Sequence, residues 1–313
     1  MKHIVVFGAA NVDIAASSAV GLALGDSTPG HTTTTAGGVG RNIAENLARL
    51  GRSTRWGHST HTDLFSAVGD DLQGEFLLRH TRHAGVDVST CSVLPGQTTG
   101  TYVAMYNPGG SLLAAVNDMA VLDLLTSNEL ARHAAASADA SAWVLDCNLS
   151  PAAIAWLMQT SAGVPIFVDG VSSQKCIKIL PYLAQINTLK VNRLEAAALT
   201  GLTVGTAEEA ITAAQNLCAR GVTNVVVSLG SGGVCWSTQG SHGHQAAIEV
   251  KVVNANGAGD ALTAGLVHGA LAGWPLARSA RFANACAAFT TTCSAANHPE
   301  LSATRTLQLL DGN

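Results

Sequence analysis

"VVNANGAGDALTAGLVHGALAGW", residues 252–274, sets Gly257, Ala258 and Gly259 directly ahead of an acid, Asp260, and of a long apolar helical pattern. Glycine destabilises a helix by up to about 1 kcal/mol relative to alanine, so a glycine pair at a helix start marks backbone that approaches something closely. In "NANGAGD" (254–260) the glycines let successive N–H groups converge at a helix N-terminus, where the dipole also favours negative charge. That makes an anion hole. Asp260 beside it can take a proton from a hydroxyl attacking phosphorus, while the N–H groups hold the charge on the transferring oxygens. The plainer alternative is an acid complementing the helix dipole in the first turn.

Outward from this stretch, β-branched runs alternate with helical patterns: 3–8, 142–147, 165–170, 187–191 and 224–230. That rhythm predicts an α/β fold, a parallel sheet sandwiched by helices. Ser150 before Pro151 reads as an N-cap, Thr206 with Glu209 as a capping box, and Gly221 as the stop of the helix between. "GGVGRNIAENLARLG" (37–51) has apolar positions 43, 47 and 50 on one helix face. Two regions break the rhythm, 12–36 and 86–117, the latter through "VDVSTCSVL" and "TGTYVAMY" into "SLLAAVND". They predict a small antiparallel β lid over one domain spanning 1–313.

The 313 residues are 47% hydrophobic and 12% charged with a net charge of −4, a composition that argues against nucleic acid or a membrane as partner and for a small molecule. Seven scattered cysteines without a Cys-x-x-Cys pair read as reduced core residues. The N-terminus enters a strand at once, as a cytoplasmic protein would.

Several further clusters carry candidate chemistry. Asn192 and Glu195, at i and i+3 where a strand gives way to a helix, can hold magnesium through its waters, or form an ordinary capping box. "SLGSGG" (228–233) joins two strands through a turn whose backbone donors could meet nucleotide phosphates; a plain hairpin turn is its simpler reading. Asn11 and Asp13 in "GAANVD", placed at the end of the first strand with period-two spacing, suit vicinal hydroxyls, with Gly37, Gly38, Gly40 and Asn42 near the same pocket. "WGHSTHTDLF" carries His58, His61 and Asp63 at a spacing that could bind a metal, although a polar loop fits better because no helix holds the two histidines together. A dinucleotide oxidoreductase would show Gly-x-Gly-x-x-Gly after a strand, which "GAANVD" lacks.

In this order, these motifs resemble the ribokinase family, the phosphofructokinase-B type of carbohydrate and nucleoside kinases. "GGVGRNIAENLARLG" looks like its first signature, "SAVGDDLQG" follows, and "NGAGDALTAGL" looks like its second. The resemblance implies phosphoryl transfer from MgATP, with Asp260 as base, Gly257, Ala258 and Gly259 as anion hole, and Asn192 and Glu195 near magnesium. It implies Ser228, Gly230, Gly233 and Asn256 on the nucleotide, and Asn11, Asp13, Gly38 and Asn42 on the ribose. "AVNDM" (115–119), "DCNLS" (146–150), "VDGVSSQK" (168–175) and "NHPELS" (297–302) look most like pseudouridine kinases within the family. That leaves Thr99, Asn117, Asp118 and Lys175 as candidates to meet the base, and a homodimer through the lid. Asn254, Ala255 and Asn256 stand where relatives commonly carry Asp-Thr-Thr, which removes a carboxylate associated with a monovalent cation and leaves potassium activation open. Val191 and Gly170 replace common prolines, and 52–65 looks longer than usual.

Overall fold

The computed structural model describes residues 1–23, 25–52, 59–137 and 139–312, the side chains of 133–136 excepted. The chain starts with β1 (Lys2–Phe7), passes through β2 (Asn11–Ser17) and β3 (His31–Gly37), and after a helix at Val39–Leu50 continues into β4 (Thr60–Phe65) and β5 (Ala67–Gly69). A helix at Leu72–His83 leads to β6 (Ser92–Leu94), β7 (Thr101–Tyr106) and β8 (Leu112–Asp118). The remaining strands are β9 (Ala142–Asp146), β10 (Ile166–Asp169), β11 (Thr188–Asn192), β12 (Asn224–Ser228), β13 (Val234–Thr238) and β14 (Ser241–Gln245).

Eight of these form one sheet in the order β14-β13-β12-β11-β10-β9-β1-β4. The six from β12 to β4 are parallel, and β13 and β14 turn back antiparallel at the edge. Residues 142–146 of β9 and 166–169 of β10 are buried throughout, as strands covered by helices on both faces must be. Two large apolar clusters flank the sheet. One packs Leu145, Leu157, Leu189 and Leu217 together, the other Ile43, Leu47, Leu64 and Phe282. The expected caps are present: Ser150 accepts from Ala153 N at 3.2 Å, and Thr206 and Glu209 cap reciprocally. No described helix is long and apolar enough to cross a membrane.

The lid is a four-stranded sheet, β3-β2-β7-β8. It departs from expectation in two ways. β2 and β7 run parallel, so the sheet is mixed rather than antiparallel, because the long connection between them carries the chain back across the main domain. Residues 92–94 do not join it; β6 pairs in parallel with β5 instead, fixed by the backbone bond from Ser92 N to Ser66 O. A third departure is at 60–65, expected as a polar loop and found as edge strand β4, paired with β1 over its whole length. Its first four residues are polar although Thr62 and Asp63 are buried, Asp63 against His3, which hides the strand from a hydrophobicity reading. His58 lies outside the described residues.

Candidate active site

At the carboxyl ends of the parallel strands the chain collects acids. β9 ends on Asp146, β10 on Asp169 and β11 on Asn192, and helix Ala258–Leu271 brings Asp260 in from above. Open α/β sheets bind ligands at this end, since the strands hand over to helix N-termini there.

Asp146 is spent on structure. Its Oδ2 accepts from Ala9 N and Gly40 N, both at 2.8 Å, and its Oδ1 from Asn148 N at 2.8 Å, tying β1 to the helix that begins at Val39. Burial pushes its carboxyl above the usual range. This staple also turns the chain after Phe7, so Asn11 and Asp13 lie on β2 of the lid and not at the end of β1 as expected. They still share one side of a strand: Asn11 Nδ2 donates to Asp13 Oδ1 at 2.6 Å. Asn11 pairs with Gly37, and Gly38 (φ 98°) then leads directly into the helix carrying Asn42.

Asn42 reaches the base candidate directly, its Nδ2 donating to Asp260 Oδ2 at 2.7 Å. Behind it lies a buried Arg41, 1% exposed, which bonds Asn42 Oδ1, Glu45 Oε2 and, at 2.6 Å, Asn297 Oδ1. Asn297 is also bound to Asn42 O and Asn46 Oδ1, both at 2.9 Å, so the C-terminal "NHPELS" segment holds this helix turn in place.

Asp169 Oδ2 accepts from Lys190 Nζ at 3.1 Å and from Thr263 Oγ1 at 2.7 Å, while its Oδ1 takes Val171 N at 3.0 Å. Lys190 is buried beneath the glycine turn. A Cβ on Gly259 would stand 2.8 Å from its Nζ. Gly257 needs its lack of a side chain twice over: φ is 77°, and a Cβ would fall 1.8 Å from Ala296 O. Burial would lower the Lys190 ammonium, but Asp169, with Glu195 and Asp260, holds it above the usual lysine range. Burial, reinforced by the Asp169 carboxylate, pushes Asp260 up to about 7.

Asn192 and Glu195 form the capping box: Asn192 Oδ1 accepts from Glu195 N at 3.0 Å, and Glu195 Oε2 from Asn192 N at 2.8 Å. Glu195 is 1% exposed and burial raises its carboxyl above the usual range. Ser228 pairs with Asn192 across β11 and β12, and the turn carrying Gly230 and Gly233 continues from it into β13, as a hairpin. Asn256 is exposed just ahead of Gly257, its N–H held by Asn254 Oδ1 at 3.0 Å. These residues share the same end of the sheet as Asp260.

The base candidates divide. Asn117, Asp118 and Lys175 line one cavity of about 550 Å³ together with Met119, Asn148 and Lys178. Lys175 Nζ donates to Asn148 Oδ1 at 2.6 Å. Thr99 stands apart: it is 1% exposed, its Oγ1 donates to Asp71 Oδ1 at 2.5 Å and accepts from Gly69 N at 3.0 Å. Sequence reasoning missed Arg41, Lys190, Asp146 and Asp169. For the two acids a signal existed, since each ends an apolar parallel strand; for the two cations none did, because burial of a cation is invisible without its partner.

Oxygen donors dominate this end. Three carboxylates act on one buried ammonium, Lys190, and leave a negative site of hard ligands, which fits a magnesium ion that retains part of its water shell.

Residues 1–303 match the model of the pfkB family carbohydrate kinases. The chain is 40% identical over 310 residues to a pseudouridine kinase from Escherichia coli (strain K12), covering 99% of this chain and 96% of that one. Its structure resembles a carbohydrate kinase from Agrobacterium tumefaciens at a TM-score of 0.85 and 27% identity, covering 99% and 97% of the two chains. It also shares the fold of an Arabidopsis thaliana ribokinase complexed with ribose and ATP, at a TM-score of 0.83 and 24% identity, covering 99% and 98%.

Proposed function

The chain belongs to the pfkB family of carbohydrate kinases, phosphotransferases with an alcohol acceptor that use ATP with magnesium, and within that family we propose that it phosphorylates the 5′-hydroxyl of pseudouridine. The observation that carries this reading is the joint cavity: two lid residues, Asn117 and Asp118, face Lys175 and Asn148 of the main domain, so a polar base can be held between lid and sheet. The 40% identity to a pseudouridine kinase supports it.

In this reading Asn11 and Asp13 bind the ribose hydroxyls and aim the 5′-hydroxyl at Asp260. With its carboxyl near neutrality, Asp260 is matched to accept that proton at physiological pH. Asn42 fixes the carboxylate's orientation, and the N–H groups of Gly257, Ala258 and Gly259 hold the transferring phosphoryl oxygens. Ser228, Gly230, Gly233 and Asn256 contact the nucleotide, with Asn192 and Glu195 beside the magnesium waters. Magnesium, when bound, neutralises charge on the ATP phosphates.

Pseudouridine keeps a ring N–H that uridine spends on its glycosidic bond. A buried acceptor aimed at that hydrogen is left unpaired by uridine at a cost of roughly 1–3 kcal/mol, about tenfold to hundredfold in kcat/KM. ADP release with MgATP is measured side by side on pseudouridine, uridine, adenosine, ribose and fructose 6-phosphate. Preference for pseudouridine supports the reading; preference for another acceptor overturns it and leaves a family kinase of different specificity. We further infer a homodimer through the lid, because β8 is exposed along all seven residues and carries Leu112, Leu113 and Val116 into solvent.

A further inference from the structure

At the opposite end of β1 from the phosphoryl-transfer site, a second set of polar side chains converges. His3 and His61 are direct register partners on β1 and β4, and Asp63 follows two residues later on the same side of β4. The two imidazoles and the carboxylate present ligand atoms that all lie within 4.8 Å of one another. His3 Nε2 donates to Asp63 Oδ2 at 2.8 Å. His61 Nε2 stands 2.8 Å from Asp63 Oδ1, yet that oxygen is buried without a hydrogen bond among the described residues. The Asp63 side chain is only 9% exposed, so water does not readily supply the missing donor.

A close nitrogen and oxygen that fail to point at each other are what two ligands of one ion present, since both point at the position between them. Bonds of about 2.0–2.1 Å in a tetrahedral arrangement put ligand atoms roughly 3.4 Å apart. The observed 2.8 Å pairs lie inside that spacing, and a small opening of the two imidazoles away from the carboxylate admits an ion. Asp87 supplies a further donor. Its backbone is fixed beside β4 by the bonds from Asp87 N to Thr62 O and from Leu64 N to Asp87 O, both 2.9 Å. Its Oδ1 is occupied by Ser89 N at 2.8 Å, and its Oδ2 faces His61 Nε2 at 3.7 Å.

We propose that His3, His61 and Asp63, with Asp87 as the outer ligand, form a binding site for a borderline divalent metal of the zinc class. Two imidazoles with carboxylates select zinc, cobalt or nickel over magnesium, which demands an all-oxygen octahedral shell. Coordination through Nε2 places each ring proton on Nδ1, so the His3 bond to Asp63 is exchanged for bonds from both groups to the ion. Five rises of about 3.3 Å carry the chain from His3 to Gly8, just past the other end of β1, which sets the cluster some 16 Å from the catalytic end. The ion therefore takes no part in phosphoryl transfer. It clips the edge strand β4 to β1 and to the chain at Asp87.

The test uses chelator-treated protein without an affinity tag, titrated with zinc chloride by calorimetry and with cobalt by visible absorption. Wild type is expected to take up one zinc per chain and to give the intense ligand-field bands of tetrahedral cobalt. His61 is 43% exposed in its side chain, so His61→Ala is expected to fold normally and to keep wild-type turnover in zinc-free MgATP assays. Its zinc affinity is expected to fall at least about 100-fold, since loss even of a ligand's hydrogen-bonding partner costs tenfold to hundredfold. Zinc is also expected to raise the melting temperature of wild type and not of His61→Ala. Equal zinc affinity in wild type and His61→Ala, or a featureless cobalt spectrum in wild type, overturns the proposal.

Discussion

The two ends of the molecule's polar chemistry are built on opposite terms. At the carboxyl ends of β9, β10 and β11, charge is buried and fully engaged: Asp146 and Asp169 are each 1% exposed, and every oxygen of both accepts a hydrogen bond. On the lid, Asn117 and Asp118 sit on a strand exposed from end to end. Chemistry on a transferring phosphoryl group needs dipoles that do not reorganise, and burial with complete bonding provides that. Recognition of an acceptor that must enter and leave needs side chains open to solvent until the substrate arrives, and the lid's outer strand β8 can carry them.

The sharpest way to break this comparison is Asp260→Asn. Turnover is expected to fall by about two to four orders of magnitude, the usual loss for a general base. The same variant is expected to melt higher than wild type at pH 8, because ionising a carboxyl whose folded value is raised to about 7 costs stability that the amide never loses. The sign follows from proton binding. Between the ordinary carboxyl value and about 7 the folded state holds the extra proton, so wild-type stability declines with rising pH and the advantage of Asp260→Asn shrinks towards pH 5. Differential scanning fluorimetry across pH 5–8 reads this directly, and unchanged turnover in a folded variant removes Asp260 from the base role.

Next in size is Asp169→Asn, which removes the carboxylate paired with the buried Lys190 ammonium at 3.1 Å and is expected to destabilise the protein by about 3–5 kcal/mol in urea unfolding. Combining it with Lys190→Met is expected to recover much of that loss, since the pair is then removed as a unit. Failure of the double variant to recover would mean that Thr263 and Val171, which also bond Asp169, carry the stabilisation.

On the recognition side, Lys175→Ala is expected to lower kcat/KM for pseudouridine by about tenfold to hundredfold while changing that for free ribose far less, the size of one lost buried polar contact. Equal losses on both acceptors would place Lys175 outside base recognition. The smallest effect belongs to the outer face of the lid. Val116 is 68% exposed, so Val116→Lys is expected to shift unfolding by less than about 0.5 kcal/mol, yet to convert dimer to monomer in sedimentation velocity. A wild-type chain that sediments as a monomer removes the lid interface.

Legibility followed the range of the forces involved. The parallel strands at 142–146 and 166–169 were visible because short apolar runs between turn signals have few other uses. The caps at Ser150 and Thr206 were visible because capping acts within four residues. Strand β4 was not, since "THTDLF" places His61 and Asp63 where a half-buried strand would show apolar residues, and only pairing with β1 over six residues makes it a strand.

By itself the sequence determined the α/β architecture, the glycine turn before Asp260 and the family signatures, because each is written in neighbouring residues. Tertiary structure alone decided that Asn42 grips Asp260 across 218 positions, that Lys190 answers Asp169, that Thr99 is bound to Asp71 and Gly69, and that the lid is mixed. The reason is electrostatic and steric at once. A buried charge takes its meaning from the partner that burial brings to it, and a strand its direction from the neighbour it pairs with, and both partners lie far along the chain.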